Sequence, residues 1–285
     1  MKKLTLLVVV VVCVLGVVGQ SPSSKNESPV KPVVRVTERA GAGAARTNAF
    51  TAAAANNATL RNELTWTFGG KQQRGWYLYD LLIKKTLDSQ HDPITDDFAA
   101  TLASWQKRRG LSSDGVLNED SLMALVSQWQ GNRLKDRTPA SADQLITAPP
   151  SDFYDSERTA ELRQVERRTY EAYKRMMAAA AADPELKIGP SDQYLKIVSA
   201  FRSREYQDEL RRKSPNAGSA GLAVNSPHFT GRALDLYVGG SPVDTQDSNR
   251  AIQVNTRAYR WLVRNAERFG FRPYFYEPWH WEYVQ

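Results

Sequence analysis

The chain has 285 residues, 41% hydrophobic and 24% charged, a globular balance that excludes a wholly disordered chain and a polytopic membrane protein. That length accommodates about two domains of roughly 150 residues each. Lys and Arg number 38 against 31 Asp and Glu, a net charge of +7, but from Ser151 onward the balance is 20 against 18. Without a clustered basic face, nucleic acid is excluded as a partner.

Met1-Lys2-Lys3 and the apolar run over 4–18 read as a charged n-region and an h-region, with Val17-Val18-Gly19 supplying small residues for cleavage. The run is long for an h-region and short for a membrane span of about 20 residues. Residues 1–19 are therefore a secretory signal peptide or an uncleaved N-terminal membrane anchor. Val12 before Cys13 disfavours a lipoprotein. On either reading the rest of the chain faces outward, in the periplasm or cell wall. Cys13 is the single cysteine, so disulfides, cysteine zinc sites and cysteine nucleophiles are excluded from the working part.

Residues 20–64 are rich in Ser, Pro, Ala, Asn and Gly and read as a flexible linker; the alternative, a helix over 51–64, has no convincing apolar face. Residues 65–135 form a small helical module. One amphipathic piece carries Trp76, Leu78, Leu81 and Leu82; Phe98, Leu102 and Trp105 give another at i, i+4, i+7. Asp114-Gly115 makes a turn, and Asn118 caps a helix carrying Leu122 and Leu125. Residues 136–150, with three prolines, read as a second linker.

Residues 151–285 have a mixed pattern. A long helix is predicted over 156–182, a strand over 195–200, a short helix over 204–213 capped by Ser203, and a strand over 233–238. An amphipathic helix over 256–269 stops at Gly270, and an aromatic extended segment follows over 274–284.

The chemistry-bearing residues lie in this last part. Asp235 sits in the apolar strand pattern Ala233-Leu-Asp-Leu-Tyr-Val238. Asp is depleted in strands and a buried carboxylate needs a cation or a metal beside it; Arg232 is one local candidate. His228 lies seven residues earlier, with Gly231 allowing a tight turn between them. His280 stands in Glu277-Pro-Trp-His280, where Pro278 opposes a helix. Two histidines and an aspartate meet the needs of a catalytic zinc with an open position, and Glu277 suits the general base. His91, in Ser89-Gln-His-Asp-Pro93, reads as an exposed loop residue.

These blocks resemble a known family. Ser226-Pro-His-Phe-Thr-Gly-Arg-Ala-Leu-Asp235 fits Ser-x-His-x-x-Gly-x-Ala-x-Asp, and with Glu277-Pro-Trp-His280 it is similar to the zinc D-alanyl-D-alanine carboxypeptidases, the VanY-like peptidases of family M15 that trim peptidoglycan. Ala200-Phe-Arg-Ser-Arg-Glu-Tyr-Gln207 is similar to the family's Tyr-Arg-Ser block, with Phe201 in place of Tyr.

The resemblance implies His228, Asp235 and His280 as Zn2+ ligands, Glu277 as catalytic base, and Arg202 as the arginine steadying the scissile carbonyl or a substrate carboxylate. Gln207 and Ser226 are candidates for substrate hydrogen bonds or loop scaffolding. It implies an α+β fold, a small, mostly antiparallel sheet with flanking helices of the hedgehog and D,D-peptidase type, preceded here by a small all-α module. Residues 98–125, with Trp105-Gln106, Gly110-Leu111 and Asp114-Gly115-Val116, look like a three-helix peptidoglycan-binding module.

The expected function is D,D-carboxypeptidase action on stem peptides in cell-wall remodelling, by a monomer. L,D-carboxypeptidase or L-alanyl-D-glutamate-type endopeptidase activity shares the same motif, and a non-catalytic wall-binding protein is the remaining alternative. Specificity is expected to depend on the 214–225 loop and the 239–249 segment. Ser104-Trp-Gln-Lys107 matches Ser-x-x-Lys, but no Lys-Thr-Gly follows, so the serine-peptidase reading fails.

Overall fold

Helix α1 (Ala42–Glu63) occupies about half of the stretch expected to be a linker, its C-terminal part. The hairpin β1 (Thr65–Phe68) and β2 (Lys71–Arg74) follows, then α2 (Asp80–Leu87), α3 (Asp96–Arg108) and α4 (Glu119–Gly131). The computed structural model describes residues 42–189, 191–213 and 223–285. The signal or anchor at 1–19, the start of the linker and much of the 214–225 loop lie outside the described residues.

The composition of α1 hid it because the helix has no broad apolar stripe. It packs on α3 with Ala53 and Ala54 buried, small side chains that permit close approach, and buries Asn57 against the turn at 115–117. Asn57 Nδ2 donates to the Gly115 carbonyl at 2.9 Å and its Oδ1 accepts from Leu117 N at 2.7 Å, so the buried amide is satisfied on both sides. Gly115 has φ +76°, and a Cβ there would meet the Ala99 carbonyl oxygen at 2.5 Å. Asn118 caps α4 as expected, and Thr95, which the sequence reading did not single out, caps α3. The Thr95 hydroxyl accepts from Phe98 N and Asn118 Oδ1 from Ser121 N, each satisfying an otherwise orphaned donor.

The expected linker at 136–150 is built into the fold. Ala140 N donates to the Phe229 carbonyl at 2.9 Å, and β3 (Leu145–Thr147) pairs antiparallel with β4 (Gln164–Glu166). This pairing also shortens the helix expected over 156–182. The backbone of 164–166 is committed to β3, so α5 spans Arg167–Ala182, with the Glu166 carboxylate accepting from Arg168 N and Thr169 N.

Next come β5 (Ile197–Ser199), α6 (Arg204–Lys213), β6 (Ala233–Leu236), α7 (Asp247–Val254), α8 (Arg257–Asn265), β7 (Phe271–Pro273) and β8 (His280–Tyr283). The Ser203 hydroxyl accepts from Tyr206 N at the start of α6, Thr256 caps α8, and Gly270 at φ +88° closes the short turn after it. The four strands form an antiparallel sheet in the order β5-β6-β8-β7. With the flanking helices this makes an α+β fold, as the sequence implied.

Leu234, Leu236, Phe271 and Trp281 of the sheet are buried in one apolar cluster that continues through Leu262 of α8 to Trp66, Phe98 and Trp129 of the helical part. Residues 41–285 accordingly form one compact unit. Lys85 of α2 donates to the Val263 carbonyl at 2.6 Å. Among the described residues no helix is long and apolar enough to cross a membrane.

Candidate metal and catalytic centre

Register alone assembles half of the site. Ser199 of β5 pairs with Asp235 of β6, and Asp235 pairs with His280 of β8. Directly opposed residues share a sheet face, so these three side chains form one row across three strands. His228 joins from the turn before β6. The Ser226 hydroxyl accepts from His228 N and starts the short helical turn 227–230, and Gly231 ends it at φ +64°. A Cβ on Gly231 would meet Glu166 N at 2.9 Å, so only glycine fits between this turn and β4.

One donor atom from each of His228, Asp235 and His280 lies within 4.8 Å of the others, and all three residues are buried. His228 Nδ1 lies 2.6 Å from the Ala200 carbonyl. A carbonyl only accepts, so Nδ1 carries the proton and Nε2 carries the lone pair. Burial, helped by the nearby Arg202 cation, pushes the His228 pKa down to about 4, which keeps the ring neutral at neutral pH. That lone pair faces Asp235 Oδ1 at 3.3 Å, acceptor against acceptor, which a cation between them resolves. Two imidazoles and a carboxylate also form the donor set of three-ligand catalytic zinc sites. The residues present therefore fit a metal ion.

Asp235 is ionised. Burial opposes the charge, but the Arg202 guanidinium and the His280 hydrogen bond outweigh it and hold its pKa well below the usual carboxylate range. His280 Nδ1 lies 2.9 Å from Asp235 Oδ1 and Nε2 lies 3.2 Å from Glu282 Oε1. Burial alone would lower the His280 pKa; the hydrogen bonds to the two carboxylates prevail and raise it to about 9.

Glu277 is buried with an oxygen 4.0 Å from His280 Nδ1. Its backbone N–H donates to the Tyr274 carbonyl and its carbonyl accepts from His280 N, a tight turn of the kind Pro278 demands. Burial pushes the Glu277 pKa up to about 8; a neighbouring cation would favour the ionised form.

Arg202 is buried and heavily engaged. Nε donates to Ser199 Oγ at 2.9 Å, Nη1 to Gln207 Oε1 at 3.3 Å and Nη2 to Asp235 Oδ2 at 2.5 Å. Arg202 is thus the cation beside Asp235, while Arg232 donates to the Gln285 carbonyl. Gln207 spans from Arg202 to the Ala223 carbonyl. His91 is exposed, 3.7 Å from Asp97, away from this cluster.

Sequence reasoning passed over Glu282 and Arg133. Glu282 is fully buried in β8 and receives hydrogen bonds from Arg133, Arg137 and Leu134 N. The signal was available, because a charged residue inside His280-Trp-Glu-Tyr-Val284 is as anomalous as Asp235 in its strand.

Residues 162–285 match the family model VanY, D-alanyl-D-alanine carboxypeptidase. The three motif blocks that carry the resemblance, 200–207, 226–235 and 277–280, all lie within this segment. No curated protein matches the chain. Among solved structures, one described as "Structure of the LdcB LD-carboxypeptidase reveals the molecular basis of peptidoglycan recognition" is similar at 24% identity, over 52% of this chain and 71% of that one, with a TM-score of 0.37.

Proposed function

We propose that the protein is a zinc-dependent D,D-carboxypeptidase that removes the terminal D-alanine from peptidoglycan stem peptides. The observation that carries this reading is the buried convergence of His228, Asp235 and His280 with Glu277 at its edge, inside a segment matching a D-alanyl-D-alanine carboxypeptidase family. His228 Nε2, a carboxylate oxygen of Asp235 and His280 Nδ1 would hold the ion. Zinc bound there supplies Lewis-acid polarisation of the scissile carbonyl and lowers the pKa of a water molecule.

The remaining steps belong to side chains. Glu277 takes a proton from the attacking water and delivers it to the leaving amine. Arg202 keeps Asp235 ionised and oriented, and its second N–H groups on Nη1 and Nη2 are suited to developing oxyanion charge or a substrate carboxylate. Ser226 and Gln207 line the same site as candidates for substrate hydrogen bonds, beside the scaffold bonds they already make. The protein acts outside the cytoplasm, delivered or anchored by residues 1–19, as a monomer, with the helical part contributing to contact with the wall polymer.

The test uses the full chain and stem peptides ending at positions three, four and five, read by mass spectrometry with and without a zinc chelator. Chelator-sensitive loss of the last residue from the pentapeptide alone is the expected result. Trimming of the tetrapeptide moves the specificity to L,D, and an internal cut moves it to endopeptidase action. Bound zinc with no cleavage of any stem overturns the enzyme reading in favour of a wall-binding protein.

A further inference from the structure

Glu282 follows His280 by two residues in β8 and so shares its sheet face. Opposite it in β6 stands Ala233, the smallest side chain the row could offer. Its carboxylate collects a dense set of donors. Oε1 accepts from His280 Nε2 at 3.2 Å, from Arg133 Nε at 3.1 Å, from Arg133 Nη2 and from Arg137 Nη1 at 3.4 Å; Oε2 accepts from Leu134 N at 2.9 Å.

Arg133 is itself fixed. Its guanidinium lies 3.9 Å from the centroid of the Tyr274 ring, and Nη1 donates to Gln130 Oε1 at 3.1 Å. The Tyr274 ring meets the His280 ring edge-on at 5.8 Å. Arg133, Leu134 and Arg137 all precede residue 162, outside the family-matched segment.

A wholly buried carboxylate carries a large desolvation cost, which the two arginines and a backbone donor offset. The histidine needs no such apparatus merely to be buried. A carboxylate on the far nitrogen of a ligand histidine fixes the ring's tautomer and orientation and raises its basicity.

We infer that Glu282 is a positioning residue for His280, clamped by Arg133, so that residues just after α4 orient a metal ligand of the C-terminal sheet. The inference rests on the zinc-peptidase reading. It gives the helical part of the chain a role in metal retention that is separate from any contact with the wall.

The experiment measures zinc dissociation constants by chelator competition for the full chain, Glu282→Gln and Arg133→Ala, together with kcat and KM on whichever stem peptide the wild type cleaves. Thermal unfolding monitors the fold. Glu282→Gln keeps the side-chain size but loses the charge. Its zinc dissociation constant should rise about 10- to 100-fold, with kcat reduced and KM near wild type. Arg133→Ala should shift both in the same direction by less, and Arg133→Lys should recover part of the loss.

A folded Glu282→Gln protein with wild-type zinc affinity overturns the inference, even if its turnover is lower. Where Glu282→Gln fails to fold, unchanged zinc affinity in Arg133→Ala overturns it. A wild-type chain that binds no zinc sinks the metal reading and this inference with it. Wild-type binding with unaltered variants sinks the inference alone.

Discussion

The ring of Phe275, two residues before Glu277, meets the ring of Phe68 edge-on with centroids 4.7 Å apart. The Trp129 ring lies tilted against the same ring, with centroids 5.6 Å apart. The β1 hairpin and α4 thus grip the turn that carries the candidate base, and aromatic contacts of this kind add to burial in fixing one geometry.

Removing the helical part should consequently unfold the rest. A chain comprising 151–285 alone would expose Phe275 and Tyr274 and leave Glu282 without Arg133, and it should show no cooperative urea transition. In the full chain, Phe275→Ala should cost about 3–5 kcal/mol, read from the shift in urea midpoint. A sharp transition from the isolated segment would show that the C-terminal part is an autonomous domain.

Glu277→Gln should separate chemistry from metal binding. The donors His228, Asp235 and His280 are untouched, so zinc content should match the wild type while turnover falls about 10²–10⁴-fold. His280→Ala should instead lower the zinc content of the purified protein. Activity near wild type in Glu277→Gln removes it as the base.

The parts legible in the sequence were those where a residue sat against its local pattern. Asp235 in an apolar strand and His280 behind a proline pointed to the site, and Ser203, Asn118, Thr256 and Gly270 marked helix ends that the structure keeps. Elements held by long-range contacts were hidden. Helix α1 buries two alanines and Asn57 rather than an apolar stripe, and β3 exists because it pairs with β4, which periodicity within either segment cannot reveal. Arg133 was invisible for the same reason: its partner lies 149 residues away.

Arg202 divides its guanidinium between Asp235, Ser199 and Gln207, a fork that an ammonium cannot reproduce. Arg202→Lys should keep a cation near Asp235 but lose the Ser199 and Gln207 bonds, lowering kcat/KM while the protein stays folded. If the substrate carboxylate uses the remaining N–H groups, KM should rise as well. Wild-type kinetics from this variant would reduce Arg202 to a structural pair.

Asp80 at the start of α2 provides a pH test of the helical part. Its Oδ2 accepts from Arg61 at 2.6 Å, while Oδ1 is buried without a hydrogen-bond partner. Burial outweighs the Arg61 pairing and raises the pKa from 3.8 to about 6. The unfolded chain therefore loses this proton first, and the folded state retains it between about pH 4 and 6. A raised carboxyl contributes stability that is full below the unfolded pKa and lost as pH rises through the folded one. Two units correspond to up to about 3 kcal/mol. Asp80→Asn removes that slope, so its urea midpoint relative to the wild type should improve from pH 4 to pH 7. An unchanging difference between the two proteins across that range would mean that Arg61 holds Asp80 ionised throughout.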